Sequence, residues 1–184
     1  MKKLLIVLVA VIAIPLFAAL FIKKDYAVKR EIVVNRPVEE VFGYVKYLKN
    51  QDNFSKWAGM DPHMKKTFSG TDGAVGFVSA WASDSSDVGV GEQEIVRIEE
   101  GSRIDYELRF MQPFESKSPA YITTERVNEG KTKVSWGFNG NMHYPMNLMF
   151  LFMDFEEMIG DDLDLGLANL KEIMETEQLT ESQE

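Results

Sequence analysis

Between two lysine pairs, Lys2-Lys3 and Lys23-Lys24, the chain runs from Leu4 to Ile22 without a charge and almost without a polar atom. A run of that length can cross the hydrocarbon of a bilayer as a helix, and its charged flanks are those of a membrane span rather than of a buried core helix. Pro15 inside the run is tolerated in lipid. No small-x-small cleavage site with a polar continuation follows it, although Ala18-Ala19 leaves a cleaved signal peptide as the alternative. Residues 1–24 therefore read as a single-pass membrane anchor or uncleaved signal, contacting the membrane through residues 4–22. Both flanks carry two lysines, so the side of the membrane stays undecided, with Lys29 and Arg30 tilting the remainder towards the cytoplasm.

Once this segment is set aside, residues 25–176 suffice for one domain of ordinary size, and residues 177–184 form a tail without periodicity, expected to be disordered. Removing residues 1–24 takes away four lysines and no acid, so the formal net charge falls from −9 to −13. An acidic domain with no basic patch disfavours nucleic acid. There is no cysteine, which excludes disulfides, thiolate metal sites and a lipid-modified cysteine.

From Tyr26 to Asn35 apolar residues alternate, predicting a strand. Asn35 can cap and Pro37 can open a helix carrying Val38, Val41, Phe42, Val45 and Leu48 at helical spacing. Asn50 to Pro62 reads as a short helix or ordered loop around Phe54 and Trp57. Turn signals then divide the chain into segments Ala74–Ala82, Val88–Ile98, Arg103–Met111, Ala120–Val127 and Thr132–Gly140, an antiparallel meander. From Pro145 to about Glu175 the period returns to that of a helix, with acidic residues on its outer face.

The order strand, helix, short helix, meander, long helix is similar to the helix-grip fold. The stretch Arg30-Glu31-Ile32-Val33-Val34-Asn35-Arg36-Pro37-Val38-Glu39-Glu40-Val41-Phe42 resembles the opening of START/polyketide-cyclase-like (SRPBCC) proteins. The stretch Leu165-Gly166-Leu167-Ala168-Asn169-Leu170-Lys171-Glu172-Ile173 resembles their terminal helix. The resemblance implies an α+β fold in which a curved antiparallel sheet wraps around a long C-terminal helix, leaving a cavity for a hydrophobic small molecule or lipid.

Candidates to line such a cavity are Trp57, Phe68, Phe77, Trp81, Tyr106 and Phe110 from the first half of the domain. Tyr121, Trp136 and Phe138 follow on later strands, and Phe155, Ile159 and Leu163 on the last helix. For any single one, ordinary core packing is the simpler account. Gly160 and Gly166 are unusual inside a helix, where each costs about 1 kcal/mol against alanine, and imply a close approach by sheet or ligand. The run from Met142 to Met153 offers adaptable side chains either to a cavity mouth near the membrane or to the sheet edge.

Catalytic motifs are missing. His63 and His143 stand far apart, without a metal-binding spacing, and no nucleophile elbow is present. Gly70, Gly73 and Gly76 fall between strands and not before a helix, as a hairpin would have them and a phosphate cradle would not. The ionisable strand residues Glu92, Glu94, Arg97, Arg109, Tyr106, Tyr121 and Glu125 leave a general acid or base in the cavity open, with no motif that selects among them. No motif asks for a cofactor or a metal. The reading is membrane-tethered binding of a hydrophobic molecule, with a cyclase- or dehydratase-like enzyme and a protein-interaction module of the same fold as alternatives.

Overall fold

The computed structural model describes residues 2–85 and 87–181. Helix α1 (Lys2–Ala19) is long and apolar enough to cross a membrane, and 7% of it is buried. Strand β1 (Asp25–Val34) begins the domain, and helix α2 (Val38–Val45) follows it. A 3-10 turn, Leu48–Asn50, leads into two single-turn helices, α3 (Gln51–Phe54) and α4 (Lys56–Gly59). The meander comprises β2 (Lys65–Ser69), β3 (Val78–Ala82), β4 (Val90–Glu99), β5 (Arg103–Gln112), β6 (Ser116–Asn128) and β7 (Lys131–Asn141). A second 3-10 segment, Met146–Leu151, precedes α5 (Phe155–Glu181).

The strands form one seven-stranded sheet in the order β1-β7-β6-β5-β4-β3-β2, with every pair antiparallel. Register shifts at Val90/Gly91 and Ile95/Arg97 break the β4–β5 ladder, and such bulges increase the local twist and bend the sheet. The curved sheet grips α5, the helix-grip α+β arrangement.

Helix α5 lies chiefly along β1, at one edge of the sheet. Its Leu163, Leu167, Leu170 and Met174 bury against Val28, Val34, Val134 and the α2 residues Val41, Phe42 and Val45. The concave face of β3–β6 is thereby left for α3, α4 and the loops to cover.

Several local expectations need correction. Asn35 caps no helix: its backbone N–H and Nδ2 both donate to Glu175 Oε1, at 2.8 and 2.9 Å. Pro37 takes the N-cap position instead, with no side-chain bond. The carboxylate arriving from α5 satisfies the donors at the strand's end, so Asn35 joins the two ends of the domain. β2 is not among the predicted strands because Lys65–Ser69 is short and its alternation carries a lysine on each side, with a single phenylalanine sharing the face of Lys66. The strand expected from Ala74 starts at Val78, since Gly73 and Gly76 adopt φ of 76° and 88°, values open to glycine and unsuited to a strand. The final helix starts at Phe155 rather than Pro145. It continues to Glu181, beyond the loss of periodicity, and residues 182–184 of the expected tail lie outside the described residues.

Candidate functional site

The concave face is organised as rungs, each made of residues directly opposite one another on successive strands. One rung runs Ser79, Gln93, Leu108, Ser118 across β3, β4, β5 and β6. Its neighbour runs Lys66, Trp81, Gly91, Phe110, Ser116 from β2 to β6. Apart from Gly91, these residues line a cavity of about 340 Å³ between the sheet and α5. The opposite wall comes from Trp57 and Ala58 of α4, Trp136 and Phe138 of β7, and Ile159 and Leu163 of α5. The next rung in the other direction runs Ile95, Tyr106 and Ala120; Ile95 and Tyr106 are core, and Ala120 still borders the cavity.

The rungs explain where the expected lining residues stand. Trp57, Trp81, Phe110, Trp136, Phe138, Ile159 and Leu163 come together around the cavity. Tyr106 is buried one rung away, where burial pushes its phenol far up from the ordinary value and its hydroxyl has no partner among the described residues. Phe77 is also core, with Phe68 stacked against it at 6.1 Å. Tyr121 stands on the outer face beneath the Arg103 guanidinium, 4.3 Å from the ring centre. Phe155 packs with Tyr26 and Phe150 at the end of α5.

Sequence reasoning missed the polar half of the lining. Ser79, Gln93, Ser116 and Ser118 face the cavity, and no hydrogen bond to another described residue uses their side chains. Their signal was alternation: Ser79, Gln93 and Ser118 each lie two positions from an apolar inward residue on their strand, and Ser116 lies two before Ser118. Gln51 also lines the cavity, and its amide nitrogen is buried without a partner among the described residues. The ionisable lining residues are Tyr26, Asp52, Lys66 and Asp87. Lys66 and Asp52 neutralise one another at 2.5 Å, and burial raises the Tyr26 phenol.

Of the ionisable strand residues, Glu92, Glu94 and Arg109 come together, while Arg97 pairs with Glu99 and Glu125 with Lys133. Arg109 bonds Glu92 at 2.5 Å, Glu94 at 2.7 Å and Glu107 at 2.7 Å on the outer face of the sheet. That guanidinium holds the Glu107 carboxyl below its usual range. His63 and His143 are exposed. Among the described residues no group of three acidic or histidine side chains could hold a metal ion.

The glycines of α5 admit the sheet. A Cβ on Gly160 would fall 1.8 Å from Arg30, and one on Gly166 would fall 2.8 Å from Trp136.

The polyketide cyclase/dehydrase and lipid transport family model matches residues 26–175, from the first residues of β1 into the last turns of α5. The chain belongs to this family. Among curated proteins, none matches in sequence. Solved structures of the same fold include a protein from Mesorhizobium loti, 15% identical over 82% of this chain and 98% of that one, with a TM-score of 0.58. Norcoclaurine synthase from Thalictrum flavum, solved with dopamine and hydroxybenzaldehyde, is 8% identical over 81% of this chain and 86% of its own, with a TM-score of 0.59. The Aha1 dimer from Colwellia psychrerythraea is 12% identical over 81% and 96%, with a TM-score of 0.54. At such identities these likenesses concern the fold.

Proposed function

We propose that the protein binds an uncharged amphipathic small molecule in the cavity beneath α5 while residues 4–22 hold it to a membrane. The observation that carries this reading is the mixed character of the sheet wall. Ser79, Gln93, Ser116 and Ser118 present unspent polar groups interleaved with Trp81, Leu108 and Phe110, facing the apolar surfaces of Trp57, Trp136, Ile159 and Leu163. A largely hydrocarbon ligand carrying hydroxyl or carbonyl oxygens on its sheet-facing side satisfies this lining, because polar groups buried without partners cost about 1–3 kcal/mol each. Asp52 and Lys66 are paired and Asp87 is exposed to solvent, so the buried part of the lining carries no net charge to favour an ion. A volume of about 340 Å³ falls at the low end for ligand sites, which run from about 300 to 1,000 Å³, and favours one small molecule over a two-tailed lipid. Family membership supports a hydrophobic ligand in general terms.

All three tryptophans of the chain line this cavity, so their emission reports directly on its contents. Titrating the full-length protein with the neutral probe N-phenyl-1-naphthylamine should shift and quench tryptophan fluorescence saturably. Ser118→Phe, which fills the cavity from the sheet side, should abolish the effect while leaving the circular dichroism spectrum unchanged. Tryptophan emission indifferent to the probe, or equal responses from the wild type and a folded Ser118→Phe variant, would overturn the reading.

A further inference from the structure

The junction between α1 and the domain contains more than a linker needs. Asn147 is fully buried, and its Nδ2 donates to the carbonyls of Ala19 at 2.7 Å and Ile22 at 3.1 Å. These carbonyls lie at the end of α1 and just beyond it, where a helix leaves acceptors without partners of its own. Ala19 is itself 0% exposed. Lys23 Nζ meets Glu156 at 2.6 Å and lies 5.4 Å from the Phe150 ring centre. The Met142 N–H donates to the Lys24 carbonyl at 2.8 Å. The apolar helix is thus bonded to the segment Met146–Leu151 and to the ends of β7 and α5.

Large apolar side chains surround this joint and face outwards. Phe17, Leu20 and Phe21 come from the end of α1, and Leu151, Phe152 and Met153 from the segment packed beside it, with Phe152 84% exposed and Phe21 76% exposed. A combined surface of this kind is costly in water and marks a place of attachment. Its occupant follows from continuity: the patch begins on a helix long and apolar enough to span a bilayer, so whatever receives the helix also meets Leu151 and Phe152.

We propose that Leu151–Met153 and the end of α1 form a membrane foot, inserted at the boundary between headgroups and acyl chains, which holds one end of the cavity against the bilayer. This rests on the anchor reading of residues 4–22. Tyr26 is the connecting wall: it lines the cavity, and its ring centre is 5.6 Å from that of Phe150, behind the foot. A ligand dissolved in the membrane then has a short route to the site.

Because the chain has no cysteine, single-cysteine variants can carry a nitroxide label in the full-length protein reconstituted into phosphatidylcholine vesicles. Phe21→Cys and Phe152→Cys probe the two halves of the foot, Leu151→Cys duplicates the second, and Val127→Cys, 54% exposed on β6, serves as the aqueous reference. In power-saturation electron paramagnetic resonance, the labels at 21, 151 and 152 should respond to oxygen more than to a water-soluble nickel chelate, and the label at 127 should do the reverse. Labels at 151 and 152 that follow the nickel chelate, while the label at 21 follows oxygen, would overturn the foot and leave the anchor standing. A label at 21 that also follows nickel would overturn both. Shielding of 152 from both reagents, with spin–spin broadening that disappears on dilution with unlabelled protein, would mean that a second copy covers this surface and would likewise refute the foot.

Discussion

Gly160 and Gly166 show how one residue type on one helix can have opposite tolerances. At Gly160 the added Cβ meets the terminal atoms of Arg30, a flexible side chain whose ion pair with Asp164 is half exposed and therefore worth about 1 kcal/mol at most. Alanine there recovers about 1 kcal/mol of helix propensity, so Gly160→Ala should unfold at the same temperature as the wild type or slightly higher. At Gly166 the obstacle is the Trp136 ring, held edge-on by Phe54 at 5.5 Å and Trp57 at 6.2 Å. Overpacking of this kind costs about 1–3 kcal/mol. Gly166→Ala should lower the melting temperature and, by displacing a ring that lines the cavity, weaken probe binding as well; differential scanning fluorimetry with the probe titration measures both. The sequence marks both glycines as anomalous in a helix, yet the partner of each lies on a different distant strand, which no local pattern records. Tyr121 and Tyr106 make the same point: alternation assigns residues to two faces, but β6 carries apolar residues on both, so the face that Tyr121 joins is decided by pairing with β5 and β7.

The loop-built rim of the cavity offers a test on the scale of elements. Asp61, just beyond α4, accepts from Ser83 Oγ at 2.5 Å and from the His63 backbone N–H at 2.8 Å, joining the loop before β2 to the turn after β3. Met64 and Val88, near the two ends of this strap, line the cavity. The hydrogen bond from Ser83, followed by that from His63, holds the Asp61 carboxyl below its usual range. A carboxyl depressed in the folded state contributes above its unfolded value, near about 4, and the contribution is lost as pH falls through the lower folded value. The strap should accordingly be intact at neutral pH and loosen on acidification. Asp61→Asn, which removes the charge, should raise amide hydrogen exchange in residues 60–64 and 83–89 at pH 7 and speed probe release, with little change in the sheet. The elements themselves were readable wherever period and length agreed: the apolar N-terminal helix, β1, the meander and most of α5. They were not where the chain is short or irregular, as in β2 and the 3-10 segment Met146–Leu151, because contacts with the sheet and with α1 fix those conformations.

At the scale of the molecule, the domain's apolar core begins at Val28 and, among the described residues, takes nothing from α1. A chain starting at Lys23 should therefore keep the circular dichroism and cooperative melting of the domain. It should also self-associate through the uncovered Leu151 and Phe152, and the double substitution Leu151→Ser, Phe152→Ser should return it to a monomer in analytical ultracentrifugation. A folded truncated chain that is monomeric without those substitutions would contradict the assignment of this surface. The off-centre placement of α5 along β1 has a further meaning. The buried side chains that secure the fold run from α5 and β1 across to Ile95, Ile104, Tyr106 and Ile122 of the middle strands, while the side chains of Ser79, Gln93 and Ser118, which face the ligand space, make no hydrogen bond to another described residue. Changes at these positions alter what is recognised at little cost to stability, so a lineage built on this plan can drift from one ligand to another through a series of viable intermediates.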